Sequence, residues 1–231
     1  MQDGVISFSL KGLTLVIGVS ISIALLLMLV VSCTSGKVEC STHSFPMISY
    51  VIVINEMYDR IFLLLTTVLM FGVNQVNIRA FYRKLYGIIP DGKNATLLYW
   101  GLASSLSLPM IGVFDEHNWK LPHGFFAIVF FLSFGVYAVR LSGYLYSNRD
   151  KFPQSEQKSI ESMKKASRNL MLLLGGLLVS IIFFHSNVPT PMLEWATGIY
   201  YINFFAIASA TNEYYDSVHD YDVQLKKKEI V

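Results

Sequence analysis

Four of the five histidines in this sequence, His43, His117, His123 and His185, fall in or beside the segments that separate its hydrophobic runs. Asp59, Asp115, Glu116 and Glu194 occupy the same segments. Imidazole changes charge nearer neutral pH than any other unperturbed side chain, and imidazole with carboxylate is a donor set of zinc and acid–base centres. Were His43, Asp59, His117, His123, His185 and Glu194 to meet, they would form a shallow site able to hold a zinc ion or move a proton at a lipid head group. The spacing supplies no such motif. His117 and His123 are separated by a loop, and the chain contains no HExxH, no CxxC and no serine-centred elbow. The same groups serve equally as solvated or hydrogen-bonded caps of helix ends, and no metal or cofactor is expected.

Whether these groups share a face depends on the elements that carry them. The 231 residues are 53% hydrophobic and only 15% charged, with a mean hydropathy of +0.48; a soluble domain is about a quarter charged. Six runs are free of Lys, Arg, Asp and Glu, at 13–31, 61–78, 95–114, 121–139, 169–193 and 195–212. Each approaches or exceeds the roughly 20 residues of helix that cross a bilayer core. Hydrocarbon offers bare backbone groups no partner, so each run must be helical. The first is longer than the roughly 7–15 residues of a signal-peptide core and reads as a retained helix. The expected fold is all-α, a polytopic bundle of six transmembrane helices over residues 1–214. Its spans are placed at 13–33, 58–80, 95–114, 121–146, 166–186 and 194–213, with a polar tail at 215–231.

Basic residues orient that bundle. Lys11, then Arg79, Arg83, Lys84 and Lys93, then Arg149, Lys151, Lys158, Lys164, Lys165 and Arg168, and finally Lys226, Lys227 and Lys228 all fall on one side; only Lys37 and Lys120 are left on the other, with Arg60 and Arg140 within or at helix ends. Lys and Arg are retained on the cytoplasmic face, so both termini are expected in the cytosol. The histidine and carboxylate groups then share the outer face. Cys33 and Cys40, the only cysteines, lie there too; an oxidising lumen permits a bridge between them, and two free thiols fit as well. Asn94-Ala95-Thr96 matches the glycosylation acceptor pattern but falls on the cytosolic side, where it is not modified. No basic stripe with interleaved aromatics is present, which excludes a nucleic-acid partner.

Within the runs, Ser104, Ser105 and Ser107, Asn203, and the cluster Asn74, Gln75 and Asn77 are costly in hydrocarbon and are expected to face neighbouring helices. Either they hold helices together or they line a polar cavity. Tyr99, Trp100, Trp119, Trp195, Tyr200 and Tyr201 stand near span ends and read as interfacial anchors. The 4–5 segment, SNRDKFPQSEQKSIESMKKASRN, has a helix start at Pro153 and Ser155 that leads into the fifth span. Lys164, Lys165 and Arg168 would contact anionic lipid where that helix leaves the membrane, each contributing roughly 1 kcal/mol.

Several stretches resemble one family. FPMIS (45–49) and EMYDRIF (56–62), GLASSLSLPMIGVFDEHNWKLPHGFFAIVFF (101–131) and EWATGIYYINFFAIASATNEY (194–214) are similar, in order and topology, to the Frag/DRAM/Sfk superfamily. That group comprises the damage-regulated autophagy modulators, the fibroblast-growth-factor-receptor-activating protein and the post-GPI-attachment lipid-remodelling factors. The resemblance implies that Phe45, Pro46 and Ser49 belong to a fixed first outer loop, with Pro46 holding it against the bundle mouth near His123 and Glu194. Expected partners are membrane lipids and another integral membrane protein. Three functions follow: a non-enzymatic factor that binds or organises lipids or serves as an auxiliary subunit, a GPI-anchor lipid-remodelling factor at the luminal leaflet, or a small transporter. Plasma membrane, Golgi, endoplasmic reticulum and lysosome all accommodate these readings.

Overall fold

A computed structural model describes residues 10–41, 44–53, 57–184 and 188–209, with side chains except those of 10, 52, 53 and 57–63. The long apolar runs form helices: α1 (Leu10–Thr34), α3 (Met57–Lys84), α4 (Asp91–Val113), α5 (Lys120–Ser147), α6 (Gln154–Phe184) and α7 (Pro189–Ser209). A short α2 (Ile48–Val53) lies between the first two, and a single 3-10 turn, Arg149–Lys151, leads into α6. No strand occurs among the described residues.

Short connections fold successive long helices back on one another. α4 packs between α3 and α5, α6 between α5 and α7, and α7 closes against α1. One end of the bundle holds α2, the Cys33–Cys40 disulfide and the α4–α5 loop; we call it the disulfide end. The opposite end carries Lys84, Lys93, Lys151 and Lys158 and is called the basic end.

Among the described residues four helices, α1 from Lys11, α4, α5 and α6, are long and apolar enough to cross a membrane, so the chain is an integral membrane protein. The described parts of the other two long helices are more polar: α3 carries Asn74, Gln75, Asn77 and Arg79, and α7 carries Glu194, Trp195, Tyr200, Tyr201 and Asn203. Asn74, Gln75, Asn77, Glu194, Trp195 and Tyr201 bond other elements of the bundle, while Arg79 is exposed. Asn74 Nδ2 donates to the Tyr201 hydroxyl, and Asn77 Nδ2 to Thr14 Oγ1 of α1 at 3.1 Å. Gln75 Nε2 reaches Ser105 Oγ of α4 at 2.9 Å.

Outward faces are apolar instead: Leu121 of α5 and Phe183 of α6 are 86% and 72% exposed. In water such surface marks an interaction site; in a bilayer it is the solvated face. α6 is 31 residues long, about 46 Å at 1.5 Å per residue. That exceeds a hydrocarbon core of roughly 30 Å, so its charged first turns project beyond the apolar section.

The interior is aromatic. Phe130 and Phe134 of α5 interlock with Tyr201 of α7, ring centroids 4.6 and 4.2 Å apart and nearly perpendicular. Edge-to-face pairing of this kind adds about 1 kcal/mol to simple burial. Small residues let helices approach: a Cβ on Gly112 of α4 would lie 2.6 Å from Thr67 Oγ1 of α3. Hydroxyl pairs join the α6 neighbours, Ser142 with Ser167 and Ser180 with Thr190, each at 2.6 Å.

Candidate functional site: a cavity under helix α2

The disulfide end is organised around a helix of six residues that could not stand alone. The first backbone N–H groups of such a helix need acceptors, and α7 supplies them. Glu194 accepts from the Ile48 N–H at 3.3 Å and from the Ser49 N–H. The next residue, Trp195, donates its indole N–H to the Pro46 carbonyl at 2.9 Å and is 5% exposed. Ser49 Oγ donates to Glu116 in the α4–α5 loop. Three side chains from two elements, Glu194 and Trp195 of α7 and Glu116 of the α4–α5 loop, thus hold α2 across the end of the bundle. Phe45 packs partly buried against the core. Upstream, Cys33 and Cys40 are bridged, Cα atoms 5.5 Å apart, and this closes the loop that leads to α2.

The α4–α5 loop has its own internal bonding. Asp115 accepts the Asn118 N–H at 2.8 Å and the Asn118 side-chain amide at 3.0 and 2.9 Å, a local turn typical of Asp. His123, in the first turn of α5, bonds through Nδ1 to the Phe114 carbonyl at 2.8 Å. A carbonyl only accepts, so Nδ1 carries the proton and Nε2 of the neutral ring is left as an acceptor.

Beneath α2 lies a cavity of about 140 Å³. Its walls are apolar, with Leu25, Met70, Ile111 and Ile202 on four different helices and Phe130 and Tyr201 at depth. Polar groups gather at the α2 side: Ser49, Asp115, His123 and Glu194. An apolar body with a few convergent polar groups is the usual form of a small-molecule site. No group of three or more His, Cys, Asp or Glu able to hold a metal occurs among the described residues.

The sequence-predicted residues divide clearly. His123, Glu194 and Ser49 line one cavity, and Pro46 lies beside it through Trp195. His117 is exposed and stands apart. His43 and His185 fall outside the described residues, as does the side chain of Asp59 in the first turn of α3. Of the interhelical polar group, Ser105 does bond Gln75 across helices. Ser104 Oγ is buried without a partner, and Asn203 turns back on its own helix to the Ile199 carbonyl at 2.7 Å. Lys164 is partly covered on α6, while Lys165 and Arg168 are exposed.

Two expectations need correcting. Trp195 and Tyr201 are not interfacial anchors: they are buried, each bonded across the bundle. Reading by position near a span end missed them because their polar tips find protein partners instead of water. The Lys84–Glu156 ion pair between α3 and α6 also escaped notice, since no local signal joins residues 72 apart. Asn94 of the glycosylation pattern is buried, donating to the Tyr82 carbonyl at 2.8 Å.

Comparison with known proteins fits this architecture. No individual curated protein and no solved structure matches the chain. Residues 9–213, nearly the whole helical bundle, match the family described as Frag1/DRAM/Sfk1/Cwh43P N-terminal domain. The chain therefore belongs to the Frag1/DRAM/Sfk1/Cwh43P family.

Proposed function

We propose that this protein is a non-enzymatic, multi-pass membrane factor that binds one lipid-like molecule in the cavity beneath α2. The observation that carries the reading is the cavity itself, mostly apolar in its walls, with its ionisable groups Asp115, His123 and Glu194 gathered at the α2 side. That is the polarity order of a lipid entering chain first. Binding is favoured over turnover by what the reactive groups already do. Glu194 receives the first N–H groups of α2, Asp115 holds the α4–α5 loop, and His123 Nδ1 is held by Phe114. No Ser, Thr or Cys nucleophile is bonded to His123 among the described residues.

In the same reading α3 and α7 also cross the bilayer, giving six spans, with the basic end and both termini in the cytosol. The alternation of the long helices and the one-sided Lys and Arg distribution support this arrangement. A second reading, remodelling of the lipid of GPI-anchored proteins, is favoured by His123 and Glu194 lining one cavity. Unchanged anchor lipid on cells carrying folded His123→Phe chain removes it.

The test of the first reading is native mass spectrometry of the full chain, extracted mildly from membranes. A bound lipid is expected on the natural chain and is expected to be lost from Ala127→Trp, which fills the cavity from α5. A folded natural chain free of lipid, or an equally loaded Ala127→Trp chain, overturns it.

A further inference from the structure

The cavity beneath α2 has a length as well as a volume. On α7 its lining runs from Glu194 to Ile202, and on α5 from His123 to Phe131, a separation of eight residues on each helix. At a rise of 1.5 Å per residue that makes a shaft about 12 Å long, running along the helices. Its volume of about 140 Å³ is close to the roughly 150 Å³ of an engineered apolar cavity that takes up benzene. The shaft is therefore narrow: one alkyl chain fits, two do not.

Tyr201 closes the end away from α2. Its ring is 3% exposed and is wedged against Phe130 and Phe134 of α5 and Phe205 of its own helix, centroids 4.6, 4.2 and 6.1 Å away. Its hydroxyl accepts from Asn74 Nδ2 of α3. Moving the ring breaks that hydrogen bond and the edge-to-face contacts together, so it is a stiff stop. The layer beyond it is full. Phe134, Tyr137, Phe204 and Phe205 are at most 1% exposed, and none of them lines the cavity. Beside the shaft, Thr67 already donates its hydroxyl to the Leu64 carbonyl at 3.0 Å.

We infer that Tyr201 is a chain-length stop: the cavity takes the end of one unbranched alkyl chain, its terminal methyl against the Tyr201 ring and its polar end at the α2 side. This rests on the lipid-binding reading above and specifies its ligand. An extended backbone advances about 1.2 Å per bond, so a shaft of about 12 Å admits at most roughly ten carbons. The benzene comparison sets the lower figure, roughly six. A longer chain meets the ring.

The experiment labels the full chain in nanodiscs with a photoreactive straight-chain alcohol of about eight carbons, the middle of that range. Competitors are straight-chain alcohols of about four to about sixteen carbons at equal mole fraction in the bilayer, which cancels the stronger membrane partitioning of longer chains. Competition is expected to peak between roughly six and ten carbons and to fall at least about tenfold for the longest. Tyr201→Ala removes the stop and is expected to move the peak to longer chains. Tyr201→Phe keeps the ring, gives up the bond to Asn74, and is expected to leave the peak in place. A residue that only held the fold together would weaken all lengths alike. Should Tyr201→Ala fail to fold, Ile111→Phe narrows the shaft from α4, one turn nearer α2, and is expected to move the peak to shorter chains. A flat profile, or an unmoved peak in the folded variant, overturns the inference and leaves lipid binding standing. Binding of no alcohol, or equal labelling of Ala127→Trp, overturns both.

Discussion

Where α3 ends, Lys84 reaches across to Glu156 of α6; their side chains are 8% and 3% exposed, and the ammonium also lies 5.2 Å from the Phe152 ring centre. Where α7 begins, Glu194 and Glu116 are near neighbours, neither ion-paired among the described residues, and a cavity opens beside them. Both are buried polar clusters at helix ends, and both join elements far apart in sequence. The basic end resolves its charges internally. The disulfide end uses its carboxylates to hold α2 and the α4–α5 loop, and an unfilled volume lies beside them. Burial of charge alone therefore does not mark a site. The mark is a group of buried polar side chains gathered beside a cavity.

The largest expected effect breaks the closed end. Lys84→Ala leaves Glu156 buried without its partner and should cost about 3 kcal/mol, read as a fall in thermal midpoint in detergent. Lys84→Met with Glu156→Leu should recover most of it; failure to recover means the pair does more than neutralise itself. Burial holds the Lys84 pKa below its usual 10.5, against the opposing hydrogen bond and charge of Glu156. The folded chain thus binds fewer protons here than the unfolded one as pH approaches 10.5. This group's share of stability rises with pH across that alkaline window, and Lys84→Met should flatten the rise.

At the disulfide end the effects are smaller. Replacing Cys33 and Cys40 by Ser opens a loop of seven-residue separation and should cost about 2 kcal/mol by chain entropy. Hydrogen exchange at 44–53 should accelerate while the basic end is unaffected; equal acceleration at both ends would erase the distinction drawn between them. Trp195→Phe keeps an aromatic ring but removes the bond to Pro46 and part of the buried indole, a loss of about 2 kcal/mol. It should loosen α2 without altering the thermal midpoint by more than a few degrees, and a large drop would make that bond part of the core rather than of the cover.

Much of the architecture was visible in the residues alone. The helix start after Pro153 follows from local backbone chemistry, and α6 begins at Gln154. The inward-facing Asn74, Gln75 and Asn77 follow from the cost of amides in hydrocarbon, and each bonds a neighbouring helix. Asn203 was misjudged by the same rule because an amide has a second remedy, the carbonyl one turn back on its own helix. His117 and His123 looked equivalent as a pair flanking a loop. One is exposed and the other lines the cavity, since only His123 lies on the α5 face turned to α4 and α7.

Apolar runs, sorted basic residues and helix boundaries were available from the chain without coordinates because transfer into hydrocarbon acts residue by residue and nearly additively. The partners were not. Ile48 meets Glu194 across 146 positions, Trp195 meets Pro46 across 149, and Asn74 meets Tyr201 across 127. Such pairs form only when the helices have chosen their neighbours and their rotation. The cavity is what that packing leaves unfilled, a property of seven elements together and of no segment alone.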